Sequence, residues 1–190
     1  MRIGEKASSI GYRDVLLAFA AAVSAVVLFA LPNINPPTKP TIDNIRPAGQ
    51  ISVIVCWPHA PIDIDTWGLA PGEDKPVGFS NRTGKILTLL RDNRGDTGGN
   101  APANCESMVA RDLPAGEYVF NVFGFSVSEP TSVHVEISIG KDGNSMHVYK
   151  YDVPVSSRQE RTVMRFKIDG NGEMVPGSIN NVFRPLYIGG

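Results

Sequence analysis

The sequence predicts an all-β fold, an antiparallel β-sandwich of about eight or nine strands behind one amino-terminal transmembrane α-helix. Three observations point there. Beyond residue 48, short runs rich in Val, Ile, Phe and Tyr alternate apolar with polar residues, the two-residue period of strands on a half-buried sheet. Turn formers punctuate those runs, in a chain that holds 19 Gly and 15 Pro. One stretch, residues 15–31, is instead uncharged and apolar or small throughout, closed by Pro32 and followed by Pro36, Pro37 and Pro40.

At about 1.5 Å per residue that stretch reaches ~25 Å, near the lower limit for a bilayer core of about 30 Å. Leu16, Leu17, Phe19, Val23, Val26, Val27, Leu28 and Phe29 point to all sides of a helix and only Ser24 is polar, unlike the one-sided stripe of a core helix. Arg2, Lys6 and Arg13 give the basic lead of a signal peptide, but the apolar run continues to Leu31 with no clean small-x-small site after it. The reading is an uncleaved anchor in the inner (cytoplasmic) membrane, with the amino terminus cytoplasmic and the carboxy-terminal domain periplasmic, as the excess of basic residues before the span implies. The segments are then 1–14, a cytoplasmic amino terminus; 15–34, the transmembrane helix; 35–48, a Pro-rich stalk; 49–172, the β-sandwich; and 173–190, an apolar tail. Ala20, Ala21, Ala22, Ser24 and Ala25 suit close packing against a helix of another membrane subunit.

Strands are expected at 50–57, 62–69, 77–80, 85–91, 105–111, 117–125, 132–139, 146–155 and 162–168. Ile51, Val53, Val55 and Trp57 form one face of the first. In the second, Ile62, Ile64, Thr66 and Gly68 oppose Asp63, Asp65, Trp67 and Leu69. Turns fall at Pro114-Ala115-Gly116, at Lys141-Asp142-Gly143-Asn144 and at Asp169-Gly170-Asn171-Gly172. The chain has two cysteines, Cys56 and Cys105, both in the β-region; in an oxidising compartment they form a disulfide closing a loop of about fifty residues, the alternative being two buried thiols. In the tail, Val182, Phe183, Leu186 and Tyr187 are too apolar for a free terminus, so they dock on the sandwich or on a partner.

Net charge is −1 with Lys and Arg scattered, which leaves no electrostatic footprint for nucleic acid. The three histidines, His59, His134 and His147, make no metal-ligand pair at helical spacing, and the chain carries no Gly-x-Ser-x-Gly elbow and no phosphate-cradling glycine loop. No enzyme and no organic cofactor is expected. Asp63 and Asp65 share one strand face, an arrangement that costs free energy unless the pair is solvated, hydrogen-bonded or bound to a hard cation such as Ca²⁺. The polar run Asp92-Asn93-Arg94-Gly95-Asp96 offers further oxygens; the alternative is that one aspartate caps a turn and the other pairs with Arg82, Arg91 or Arg94. Trp67, beside the aspartates, is either a platform for stacking a sugar or a core residue.

The runs Asp63-Ile64-Asp65-Thr66-Trp67-Gly68-Leu69-Ala70-Pro71-Gly72, Val77-Gly78-Phe79-Ser80-Asn81, Asn104-Cys105-Glu106 and Leu113-Pro114-Ala115-Gly116-Glu117-Tyr118 carry a resemblance. Over roughly residues 51–139 the chain resembles a group of exported bacterial and phage-encoded β-sandwich ectodomains, similar to accessory domains of secreted peptidases, with an Asp-x-Asp strand and a Pro-x-Gly-x-Tyr hairpin. That resemblance implies a non-catalytic interaction domain. This chain departs from those accessory domains in its amino-terminal apolar helix and in having no peptidase attached. The expected function is a structural or regulatory subunit of an envelope-spanning assembly. The alternative is a membrane-tethered module that binds a glycan or another surface ligand.

Overall fold

The computed structural model describes residues 4–34, 50–58, 60–95, 103–140 and 147–189, with the side chains of 4–10 and 27–34 excepted. The chain divides into two compact units, Met1–Thr41 and Ile42–Gly190. In the first, helix α1 runs over Gly4–Ile34, beginning well before the apolar stretch and taking in the charged Arg13 and Asp14. Val15, Leu16, Leu17, Phe19, Val23 and Val26 are all exposed along it. Among the described residues no helix is long and apolar enough to cross a membrane. The expected stalk at 35–48 lies outside the described residues.

The second unit holds eight strands: β1 (Ile51–Pro58), β2 (Asp63–Leu69), β3 (Leu87–Arg91), β4 (Ala103–Ala110), β5 (Gly116–Ser126), β6 (Thr131–Ile139), β7 (His147–Val155) and β8 (Glu160–Ile168). They form two antiparallel sheets, ordered β3-β4-β1-β6-β7 and β2-β5-β8. Alternation along each strand sends one set of side chains between the sheets. Ile51, Val53, Val55 and Trp57 of β1 meet Ile64 of β2, Tyr118, Phe120 and Val122 of β5, and Met164, Phe166 and Ile168 of β8 in a single buried cluster. Tyr118 and Phe166 stack within it at 5.1 Å. Cys56 and Cys105 lie opposite each other in the β1/β4 register and form the disulfide.

The 77–80 segment is not a strand. It makes only the isolated bridges Gly68↔Val77 and Gly78↔Asn81: Val77 pairs with the free edge of β2 through two backbone hydrogen bonds, and the chain then turns so that Gly78 and Phe79 lie against Trp67 on the outer face of β2. That outer face carries a second apolar cluster of Trp67, Val119, Phe123 and Leu186, flanked by Leu69, Phe79, Phe125 and Tyr187. A three-stranded sheet apolar on both faces needs a second cover, and the tail supplies it. Tyr187 stacks on Phe123 at 3.9 Å, and Leu186 is 3% exposed, a burial worth about 2 kcal/mol. Polar contacts fix the tail in register: Arg184 and Arg165 both pair with Glu117, and Glu160 accepts from the backbone N–H groups of Leu186 and Tyr187.

Candidate functional site

The Asp63/Asp65 face of β2 ends at a cavity of about 180 Å³ lined by Asp63, Asp65, Phe79, Asp92, Arg94 and Phe125. Two irregularities in the sheets and one loop turn build it. The β2/β5 register shifts between Asp63 and Ile64, so Phe125 bulges out of the ladder toward the cavity. On β3 the register shifts between Leu89 and Arg91, which turns the following Asp92 toward β2. The loop after β3 is then held by an Asx turn in which Asn93 Oδ1 accepts from Gly95 N–H; Gly95, at φ 79°, adopts the left-handed conformation that favours glycine.

Glu106 completes the group. Its strand alternation places it with Asn104, Met108 and Ala110 on the inward face of β4, and it is fully buried. Glu106 Oε2 accepts from the backbone N–H of Thr66 at 2.7 Å, and Oε1 accepts from Asn93 N–H at 3.3 Å. Asn104, next but one along the strand, donates to the Ala60 carbonyl and accepts from Asn93. Carboxylate oxygens of Asp65, Asp92 and Glu106 lie within 4.8 Å of one another. Asp63 stands at the rim with its Oδ1 buried, and Asp65 Oδ2 is buried as well; neither atom has a hydrogen-bond partner among the described residues.

Electrostatics follow from that crowding. Burial, then the charges of Asp63 and Asp92, push the Asp65 carboxyl up to about 7, against a weaker opposing pull from Arg94 and Arg158. Burial holds Glu106 well above the usual carboxylate range; its bonds to Thr66 oppose this, and the charges of Asp65 and Asp92 add to it. Asp63 is raised by burial and Asp92, with Arg94 opposing. Arg94 compensates little: its side chain is 83% exposed and approaches Asp92 only at 4.0 Å. Arg158, the single non-Gly residue with positive φ among those described, lies over the Phe125 ring at 4.7 Å.

The sequence-predicted residues separate into four groups. Asp63 and Asp65 sit together, and Asp92 joins them; Asp96 lies outside the described residues. Trp67 is fully buried, with Phe79 and Tyr187 edge-on to its ring, so it offers no face to a ligand and is a packing residue. Of the tail residues, Leu186 and Tyr187 pack on this domain, whereas Val182 and Phe183 are 64% and 56% exposed. Of the histidines, His59 lies outside the described residues and His134 pairs with Asp152 on the surface. The residue that sequence reasoning missed as a site member is Glu106; its signal was a lone charge on the apolar face of an alternating strand. The chain matches no protein-family profile, no curated protein and no solved structure.

Proposed function

We propose that this chain is a non-catalytic, single-pass membrane protein whose two-sheet ectodomain is a structural or regulatory subunit of a larger envelope assembly. The tether is residues 15–34, a stretch whose side chains are described only as far as Val26, with the ectodomain on the periplasmic side. The observation that carries this reading is the ridge of Val182 and Phe183. Apolar side chains on a segment without regular secondary structure are ordinarily mobile or buried. Here they are held outward between two fixed points, Asn180, bridged to Arg165, and Arg184, bonded to Glu117 and Thr162. Ile179 and Ile188, both exposed, extend the same tail. An ordered apolar ridge of this kind is what a docking surface needs.

The test uses the full chain in its native membranes. A photo-crosslinker at Phe183 yields one discrete adduct, while the same group at Ser157 yields none; Val182→Ser abolishes the adduct and leaves the melting temperature unchanged. Full release of the protein by alkaline carbonate, or equal crosslinking at both positions, defeats the proposal. The second reading, a glycan- or surface-ligand-binding module, rests on the cavity and on the partly exposed rings of Phe79 and Phe125 instead of on Trp67.

A further inference from the structure

We infer that Asp65, Asp92 and Glu106, with Asp63 at the mouth, form a calcium site between the ends of the two sheets. This goes beyond the docking ridge and stands independently of it. Proximity of carboxylates alone would not establish a site, since acidic groups gather on many surfaces. The second observation is the state of Asp65: it is 4% exposed, it lines the cavity, and its Oδ2 has no donor among the described residues. A buried carboxylate oxygen with nothing to accept from costs on the order of several kcal/mol, and a protein keeps such an atom where something absent from its own atoms binds it. Asp63 Oδ1 repeats the pattern at the rim.

Protons alone do not resolve the arrangement. A proton on Asp65 supplies one donor to one neighbouring carboxylate, and the remaining carboxylates of the group still face one another without a counter-charge. A guanidinium would serve, yet Arg94 extends into solvent and Arg158 covers Phe125. A metal ion satisfies the orphaned oxygens together.

Donor chemistry selects among metals. The three carboxylates bring oxygens within 4.8 Å of one another, the all-oxygen set that hard cations take. Calcium accepts six to eight oxygens at about 2.3–2.6 Å in flexible geometry, which suits ligands drawn from two strands and a loop. Magnesium demands a near-ideal octahedron at about 2.0–2.1 Å and gives up its waters reluctantly. Zinc prefers nitrogen and sulfur, and the group contains neither histidine nor cysteine. Oxygens in Glu106 that already accept from Thr66 and Asn93 retain lone pairs for the ion, and water entering through the open cavity fills the remaining positions. The ligands come from β2, β4 and the loop after β3, so the ion would fasten the open edge of β2 to the opposite sheet.

The experiment uses the full chain in mild detergent, stripped with EDTA and returned to metal-free buffer at about pH 7.5. Calorimetric titration with CaCl₂ is expected to show one ion per chain with a dissociation constant on the order of 1 mM or tighter, and a higher melting temperature in CaCl₂ than in an equal concentration of MgCl₂. Asp65→Asn and Asp92→Asn each weaken uptake at least about tenfold. Asp65→Asn removes like-charge repulsion at constant size, so it melts in EDTA no lower than the parent chain; its loss of calcium response is then not a loss of fold. Asp92→Asn, on the loop, gives the same reading should Asp65→Asn disturb β2. Absence of uptake in the parent chain at several times 1 mM CaCl₂, or uptake that survives both substitutions, overturns the inference.

Discussion

The backbone N–H of Thr66 donates to Glu106 Oε2 at 2.7 Å across the space between the two sheets. Thr66 lies in an edge strand whose other side pairs with β5, so this carboxylate stands where a neighbouring strand would supply a carbonyl. The same device recurs. Glu73 accepts from the N–H groups of Lys85, Ile86 and Leu87, and Glu160 from those of Leu186 and Tyr187. Loops and tail are thus tied to the sheets by carboxylates that take up backbone donors the ladders leave free.

Glu106→Ala leaves the Thr66 N–H buried without an acceptor, and is expected to lose about 2–4 kcal/mol in urea unfolding at neutral pH without calcium. Glu106→Gln keeps an acceptor oxygen and sheds the buried charge, so its loss is expected to stay below about 1 kcal/mol. Equal losses in the two variants would show that the Thr66 bond contributes nothing.

For the tail, Glu160 Oε1 accepts from Asn121 Nδ2, Leu186 N and Tyr187 N at 2.7–2.9 Å, and Asn121 is buried. Glu160→Ala is expected to cost about 2–3 kcal/mol and to speed amide exchange at Leu186 and Tyr187 before any other part of the domain. Asp74→Asn breaks an equally short pair, with Lys85 at 2.9 Å, but both partners are exposed. It should change stability by less than about 0.5 kcal/mol.

Gly78 lies against the face of Trp67, where an added Cβ would come within 2.6 Å of the indole ring. Gly78→Ala must therefore displace either Trp67 or the 77–80 segment, at a cost of about 1–3 kcal/mol by thermal unfolding, with a shift in tryptophan emission reporting the change. A neutral result would mean that the segment floats over β2 and does not clamp it.

Removing the Cys56–Cys105 bond frees a loop with a sequence separation of 49, worth about 4 kcal/mol in the chain-entropy picture. The double Cys→Ser variant should unfold at correspondingly lower urea concentration. A loss below about 1 kcal/mol would place the bond's effect outside the unfolded chain.

The strands were legible because two-residue alternation is a local property: eight of the nine expected ones are present, and the faces of β1 and β2 are as the pattern gives them. The 77–80 segment misled because its two apolar residues serve different places: Val77 is buried in the main core beside the edge of β2, and Phe79 covers Trp67 on the outer face. Alternation likewise put Trp67 on the face away from the core but could not say that a loop and the tail close over that face. Asp63 and Asp65 were visible as a pair on one strand. Glu106 reaches them from forty residues away in the opposite sheet, a relation set by sheet packing and not by spacing. The tail divided because packing on Phe123 selects Leu186 and Tyr187 but leaves Val182 and Phe183 outside, a distinction that composition does not carry.

Acidity gives the last test. The Asp65 carboxyl is raised from 3.8 in the unfolded chain to about 7 by burial and by the charges of Asp63 and Asp92. A raised folded value means that the native state holds the proton more tightly, so its contribution is complete below 3.8 and is lost as pH climbs through about 7. In EDTA the melting temperature should consequently fall by about 10 °C between roughly pH 4 and pH 8, relative to Asp65→Asn, which has no proton to lose there. Calcium competes with that proton for the same oxygens, so it should restore stability at the alkaline end of the window and have little effect at the acid end. Parallel profiles for the parent chain and Asp65→Asn would show that this carboxyl is ionised and solvated in the folded protein.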